Sequence, residues 1–271
     1  MRRRPLRAAA AIALLSCVVS ASLSASASAA NPVVSGTCVD GNYFDGLNSE
    51  YAASYCKSAL AAAGYHAYLR RNAPASNVLA DQPTDAIFYH SGHALVAGPG
   101  PTAVASLMAP NGPSAKTWSG LLGTPTGAYI QGPVTICNDS KHCSNVVLTL
   151  YPYETQMQKF KLALFQSCNS AQESSLYPSL VTVAFRAGNV GTAIGFRDAV
   201  AYIINAPGDN IAGDAFARRF WYDANRGHTF ATSVVDASNA AGGRTYGYSS
   251  YVIKHHPKAG TTLRPAGYYA G

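Results

Sequence analysis

Two stretches carry residues that can do chemistry. Lys161-Leu-Ala-Leu-Phe-Gln-Ser-Cys-Asn-Ser-Ala171 is a short apolar run that stops at Cys168 in a small, polar turn. Asp85-Ala-Ile-Phe-Tyr-His-Ser-Gly-His93 is a second apolar run that ends in histidines. A strand that ends on a thiol presents a nucleophile at the carboxyl edge of a sheet. The thiol needs a base to become a thiolate near neutral pH, and an imidazole on a second strand end supplies one. The spacing therefore points to a cysteine hydrolase with Cys168 as nucleophile. His90 and His93 are three residues apart and would face opposite sides of a continuing strand, so one of them enters the site. Gly92 between them permits a tight turn.

Elements that can position these residues are legible in the hydrophobic pattern. Val33–Val39 reads as a strand. Asn48–Ala63 reads as an amphipathic helix ended by Gly64. Tyr65–Leu69 is a strand, Ala75–Asp81 a short helix or turn, and Asp85–Tyr89 the strand leading to the histidines. Strand and helix thus alternate, which predicts a mainly parallel sheet with helices on both faces. Ala97–Pro101 opens a long irregular region with a helix near Ser114–Leu122. Ala128–Cys137 and Cys143–Leu150 read as a hairpin. Lys161–Phe165 is the thiol-bearing strand, Gln172–Ala187 a helix, and Gly191–Phe196 a strand. Helices follow over Ile211–Arg226 and Thr229–Ala241, separated by Gly227, and a last strand spans Tyr246–Lys254.

Composition bounds the setting. Residues 1–30 read as an export signal: Arg2, Arg3, Arg4 and Arg7, then an apolar run over Ala8–Val19, then small residues with cleavage options at Ala29 or Ala30. Leu14-Leu-Ser-Cys17 offers the alternative of a lipid-anchored chain cut before Cys17. Residues 31–271 then form one domain of a secreted protein, with no stable membrane association unless Cys17 is lipidated. The chain has 20 Lys+Arg against 13 Asp+Glu, but four of the arginines lie in the leader. The high pI is therefore no sign of nucleic-acid binding.

Of six cysteines, five lie beyond the leader. In an oxidising compartment an even set pairs and an odd one stands out. Cys38 and Cys56 flank a β–loop–α unit and Cys137 and Cys143 flank a polar loop, so the pairing expected is Cys38–Cys56 and Cys137–Cys143, with Cys168 free. A buried inert thiol is the alternative for Cys168. Metal is a competing use of these residues. His90, His93 and His255 would be the ligands of a metal-binding surface protein, and Cys137, His142 and Cys143 those of a second site. His90-x-x-His93 lacks the glutamate and helix of a zinc-peptidase motif, and an exported cysteine pair favours a disulfide. No metal and no cofactor is expected, and no serine-nucleophile elbow, P-loop or dinucleotide fingerprint occurs.

The two strands resemble those of the caspase-like cysteine peptidase superfamily, which includes caspases, metacaspases, legumains, gingipains and CHAT-domain peptidases. Phe88-Tyr-His-Ser-Gly-His93 is similar to the apolar strand followed by Ser-Gly-His in metacaspases, and Phe165-Gln-Ser-Cys-Asn-Ser170 to the strand ending in Ser/Ala-Cys. Asn42–Gly46 with the helix to Gly64-Tyr65 resembles the opening β–α unit. Ala187–Phe196, the Phe/Trp-rich helix, Gly227 and the Ala-rich helix resemble the segment after the cysteine in CHAT domains. Tyr251-Val-Ile and Leu263-Arg-Pro265 resemble their last strand and tail.

The resemblance implies a three-layer α/β/α fold with a mainly parallel central sheet, plus the disulfide-closed hairpin as an insertion. It implies hydrolysis of peptide bonds, with peptide or protein substrates as partners. Cys168 would be the nucleophile, His93 the general acid/base with His90 as the alternative base, and the backbone N–H groups of Ala94 and Cys168 the oxyanion hole. Gln166, two residues before the nucleophile, and Arg197 would line the pocket for the P1 side chain and disfavour a basic one. The chain departs from the pattern at Ala94, where glycine is usual, at His255-His256-Pro257, and in a longer stretch between His93 and Cys168. An inactive binding module of the same fold, and an amidase or acyltransferase using the same dyad, are the rival readings.

Overall fold

A computed structural model describes residues 34–40, 50–71, 81, 84–92, 94–97, 104–110, 118–121, 132–137, 143–148, 160–173, 179–186, 190–201, 212–257 and 262–269. Between 94 and 148 the description is of the backbone. The proposed leader, Cys17, the loop after residue 40 and the helix or turn at 75–80 lie outside these residues.

The protein is α/β, built on a six-stranded sheet. Its strands are β1 (Ser35–Asp40), β2 (His66–Arg71), β3 (Asp85–Ser91), β9 (Leu162–Gln166), β10 (Thr192–Phe196) and β11 (Tyr251–His255), in the order β2-β1-β3-β9-β10-β11. All neighbours are parallel except β10 and β11. The three central strands, β3, β9 and β10, are buried at every residue. This is why they read as unbroken apolar runs and not as alternation.

Helices α1 (Glu50–Ala62), α3 (Ala212–Asn225) and α4 (Phe230–Ala240) pack against one another and against one face of the sheet. Tyr89 meets Trp221 edge-on at 5.3 Å, and Phe196 meets Phe216 at 5.4 Å. Gly195, pointing the other way from Phe196, lets α2 (Leu180–Arg186) approach: a Cβ there would sit 2.6 Å from Val181 Cγ2. Cys38 of β1 and Cys56 of α1 form the expected disulfide, with Cα atoms 6.0 Å apart and both residues fully buried.

Three expectations change. The helix expected from Gln172 begins at Leu180, because Ser179 Oγ accepts from Thr182 N at 3.2 Å and caps that turn. Where a helix was expected near 114–122, Trp118–Leu121 is strand β6, paired antiparallel with β5 (Val104–Pro110), which pairs in turn with β4 (Ala94–Ala97). Pairing partners override local propensity there. The stretch before Tyr251 is not strand but two 3-10 turns, Gly243–Tyr246 and Tyr248–Ser250, with Gly242 and Gly247 left-handed. The hairpin is present as β7 (Gly132–Cys137) and β8 (Cys143–Leu148), and its register sets Cys137 opposite Cys143. Their sulfur atoms lie outside the description.

Candidate active site

The carboxyl ends of β3 and β9 adjoin. Ser91 is in register with Gln166, and Gly92 N donates to Gln166 O at 3.3 Å. The chain positions of His93, next after Gly92, and of Cys168, two after Gln166, therefore lie beyond the ends of neighbouring strands. The His93 residue itself is outside the description. Ala94, expected to lend an oxyanion donor, is the first residue of β4, opposite Leu107.

Cys168 is the free cysteine among the described residues, and it is partly buried. It heads a tight turn. Asn169 after it adopts a left-handed φ of 55°, a conformation that asparagine tolerates better than most residues. Ser170 Oγ shares its one proton between Phe165 O (3.0 Å) and Ser167 O (2.9 Å) and accepts from Phe196 N (3.0 Å), which ties the turn to β10. Asn169 N donates to Asp198 O at 3.1 Å. The Cys168 sulfur meets the backbone of Val200, donating to its carbonyl (3.6 Å) and accepting from its N–H (3.4 Å). Burial pushes the thiol pKa up, partly offset by the N–H groups of Val200 and of Cys168 itself.

His90 is fully buried, and its Nδ1 shares a 2.9 Å hydrogen bond with Ser167 Oγ. It braces the residue before Cys168. Gln166 is also fully buried. Its Oε1 accepts from Tyr89 OH, and its Nε2 donates to Gly213 O (2.8 Å) and Tyr248 OH (3.1 Å). Every polar atom of the amide is thus engaged inside the protein. The hydroxyls of Tyr89 and Tyr248 are held well above the ordinary tyrosine range by that burial. This network escaped the sequence reading, although Gln166 as the one long polar residue closing an apolar run was the signal for it. Arg197 is exposed, and its N–H donates to Ser250 O at 3.1 Å.

One described cluster has the ligand types of a metal site. Asp223, His228 and Asp236, at the end of α3 and on α4, bring ligand atoms within 4.8 Å of one another. A guanidinium already pairs with both carboxylates: Arg219 Nε lies 2.6 Å from Asp223 Oδ2 and Nη2 3.5 Å from Asp236 Oδ2. His255 is exposed at the end of β11. Among the described residues no helix is long and apolar enough to cross a membrane.

The structure thus brings together the thiol turn, the end of the histidine strand and the loop after β10, and it turns His90 and Gln166 inward as braces. In sequence, the chain matches no protein-family model, and no curated protein matches it.

Proposed function

We propose that this chain is an exported cysteine endopeptidase with a three-layer, caspase-like fold. The observation that carries the reading is the hydrogen bond from Gly92 N to Gln166 O, which joins the strand end before His93 to the strand end before Cys168. In the reaction, His93 takes the proton of the Cys168 thiol and the sulfur adds to the substrate carbonyl. The Cys168 N–H and the Ala94 N–H face the developing oxyanion. His93 then protonates the leaving amine as the C–N bond breaks, and water hydrolyses the acyl-enzyme to regenerate the thiol. Of the two residues assigned to the P1 pocket, Gln166 has its amide engaged with Tyr89, Tyr248 and Gly213. Exposed Arg197 is the one that meets an acidic or polar P1 side chain.

A second reading, an inactive binding module of the same fold, is favoured by one observation. The thiol is largely withdrawn from solvent, and that burial favours its protonated form. An amidase or acyltransferase using the same dyad is separated by substrate profiling. The deciding experiment follows cleavage of a peptide library varied at P1, with Cys168→Ala as control. Cleavage lost in Cys168→Ala supports the peptidase, and cleavage that persists in Cys168→Ala overturns it. A preference for Lys or Arg at P1 overturns the Arg197 assignment.

A further inference from the structure

The segment Arg197–Ala201, which follows β10, is tied down on two sides. Toward the nucleophile turn, Asp198 O accepts from Asn169 N (3.1 Å), and Val200 bonds the Cys168 sulfur with both its N–H (3.4 Å) and its carbonyl (3.6 Å). Toward the 3-10 turns, Arg197 N donates to Ser250 O (3.1 Å), Asp198 N to Ser250 Oγ (3.1 Å) and Ala201 N to Tyr246 O (3.0 Å). Ser250 Oγ in turn donates to Gly247 O at 2.7 Å. Gly247 lies so close under the segment that a Cβ there would sit 2.0 Å from Ala199 O. Val200 itself is 4 % exposed. The polar contacts of the sulfur are thus made with the backbone of Val200, on the segment, and not with a histidine of the described residues.

We propose that Arg197–Ala201 is an autoinhibitory clasp on Cys168: the segment engages the sulfur through both backbone groups of Val200, and the nucleophile becomes reactive when Val200 moves off the sulfur. The clasp rests on the reading of Cys168 as nucleophile and names its regulation. Ser250 is the hinge of the device, since one side chain joins the segment to the turn beneath it.

The test is alkylation of Cys168 in the full chain by iodoacetamide, with both wild type and Ser250→Ala, quantified by mass spectrometry of the Cys168 peptide. Loss of the Ser250 hydroxyl removes one tie on the clasp and should speed alkylation about fivefold, the worth of one hydrogen bond. An unchanged or slower rate overturns the clasp. Hydrogen exchange on the wild-type chain supplies a second measurement that needs no variant to fold. The carboxamidomethyl group displaces Val200, so amide exchange over 197–201 should be about tenfold faster in the alkylated chain. Unchanged protection there overturns the proposal. Faster alkylation of Ser250→Ala without peptide cleavage sinks the peptidase reading and leaves the clasp standing. Wild-type alkylation as fast as that of a free cysteine peptide sinks the clasp, whatever the turnover.

Discussion

His90 and Ser167 share a 2.9 Å hydrogen bond that joins the histidine strand to the residue before Cys168. Both residues are fully buried. The bond makes His90 a brace for the turn, and in the proposed reaction the proton transfer is assigned to His93. His90→Ala removes a buried ring and strands the Ser167 hydroxyl, at a cost of about 2–4 kcal/mol. His93→Ala should instead lower turnover about 10²- to 10⁴-fold. Urea unfolding and peptide turnover on the two variants check this. Full loss of turnover in a stable His90→Ala protein would assign the base to His90.

Gln166 is the hub of the second brace. Gln166→Ala leaves the Tyr89 and Tyr248 hydroxyls and the Gly213 carbonyl without this partner in a dry interior. The expected loss is about 2–4 kcal/mol in urea unfolding. A variant within 0.5 kcal/mol or so of wild type, the scale of ordinary surface substitutions, would mean that solvent reaches the network.

The Cys38–Cys56 bond spans 18 residues and links the central sheet to α1. In the chain-entropy account such a loop contributes about 3 kcal/mol. Urea unfolding with and without reductant should show a fall in midpoint, and a variant with Cys38→Ala and Cys56→Ala should start from a lowered midpoint and respond less to reductant.

Asp85 begins β3 and is fully buried. Burial raises its pKa from 3.8 to about 7, with hydroxyls of Thr37 and Ser35 working against the rise. The unfolded chain therefore loses this proton at lower pH than the folded one. The contribution of Asp85 to stability is fully present below about pH 4 and is lost as pH rises toward 7. Asp85→Asn should flatten that decline. It should be the more stable protein at pH 8, on the order of a few kcal/mol at most, with the gap closing toward pH 4. Thermal melts across pH 4–8 measure this, and a gap that stays constant with pH removes Asp85 as the cause.

Much of this protein is determined by local chemistry that a linear sequence carries. The apolar runs ending at His90 and Gln166 specify strands buried on both faces, because no polar alternation is present to mark a wet side. Gly64 and Gly227, with φ of 92° and 90°, end α1 and α3 because glycine enters that conformation without steric cost. An odd number of cysteines, with Cys38 and Cys56 flanking one β–loop–α unit, pointed to that pair and to Cys168 as a free thiol, and the structure has both. Tertiary structure decided the rest. Strand order placed β9 beside β3 across a long interval, and long-range pairing turned Trp118–Leu121 into a strand. Only the packing of α3 and the Tyr248 turn onto the sheet closed the cage that turns Gln166 inward. The Val200 contact on Cys168 likewise arises where three distant segments meet. Hydrogen-bond partners far apart in the chain leave no periodicity to read, so they emerge only when the sheet is assembled.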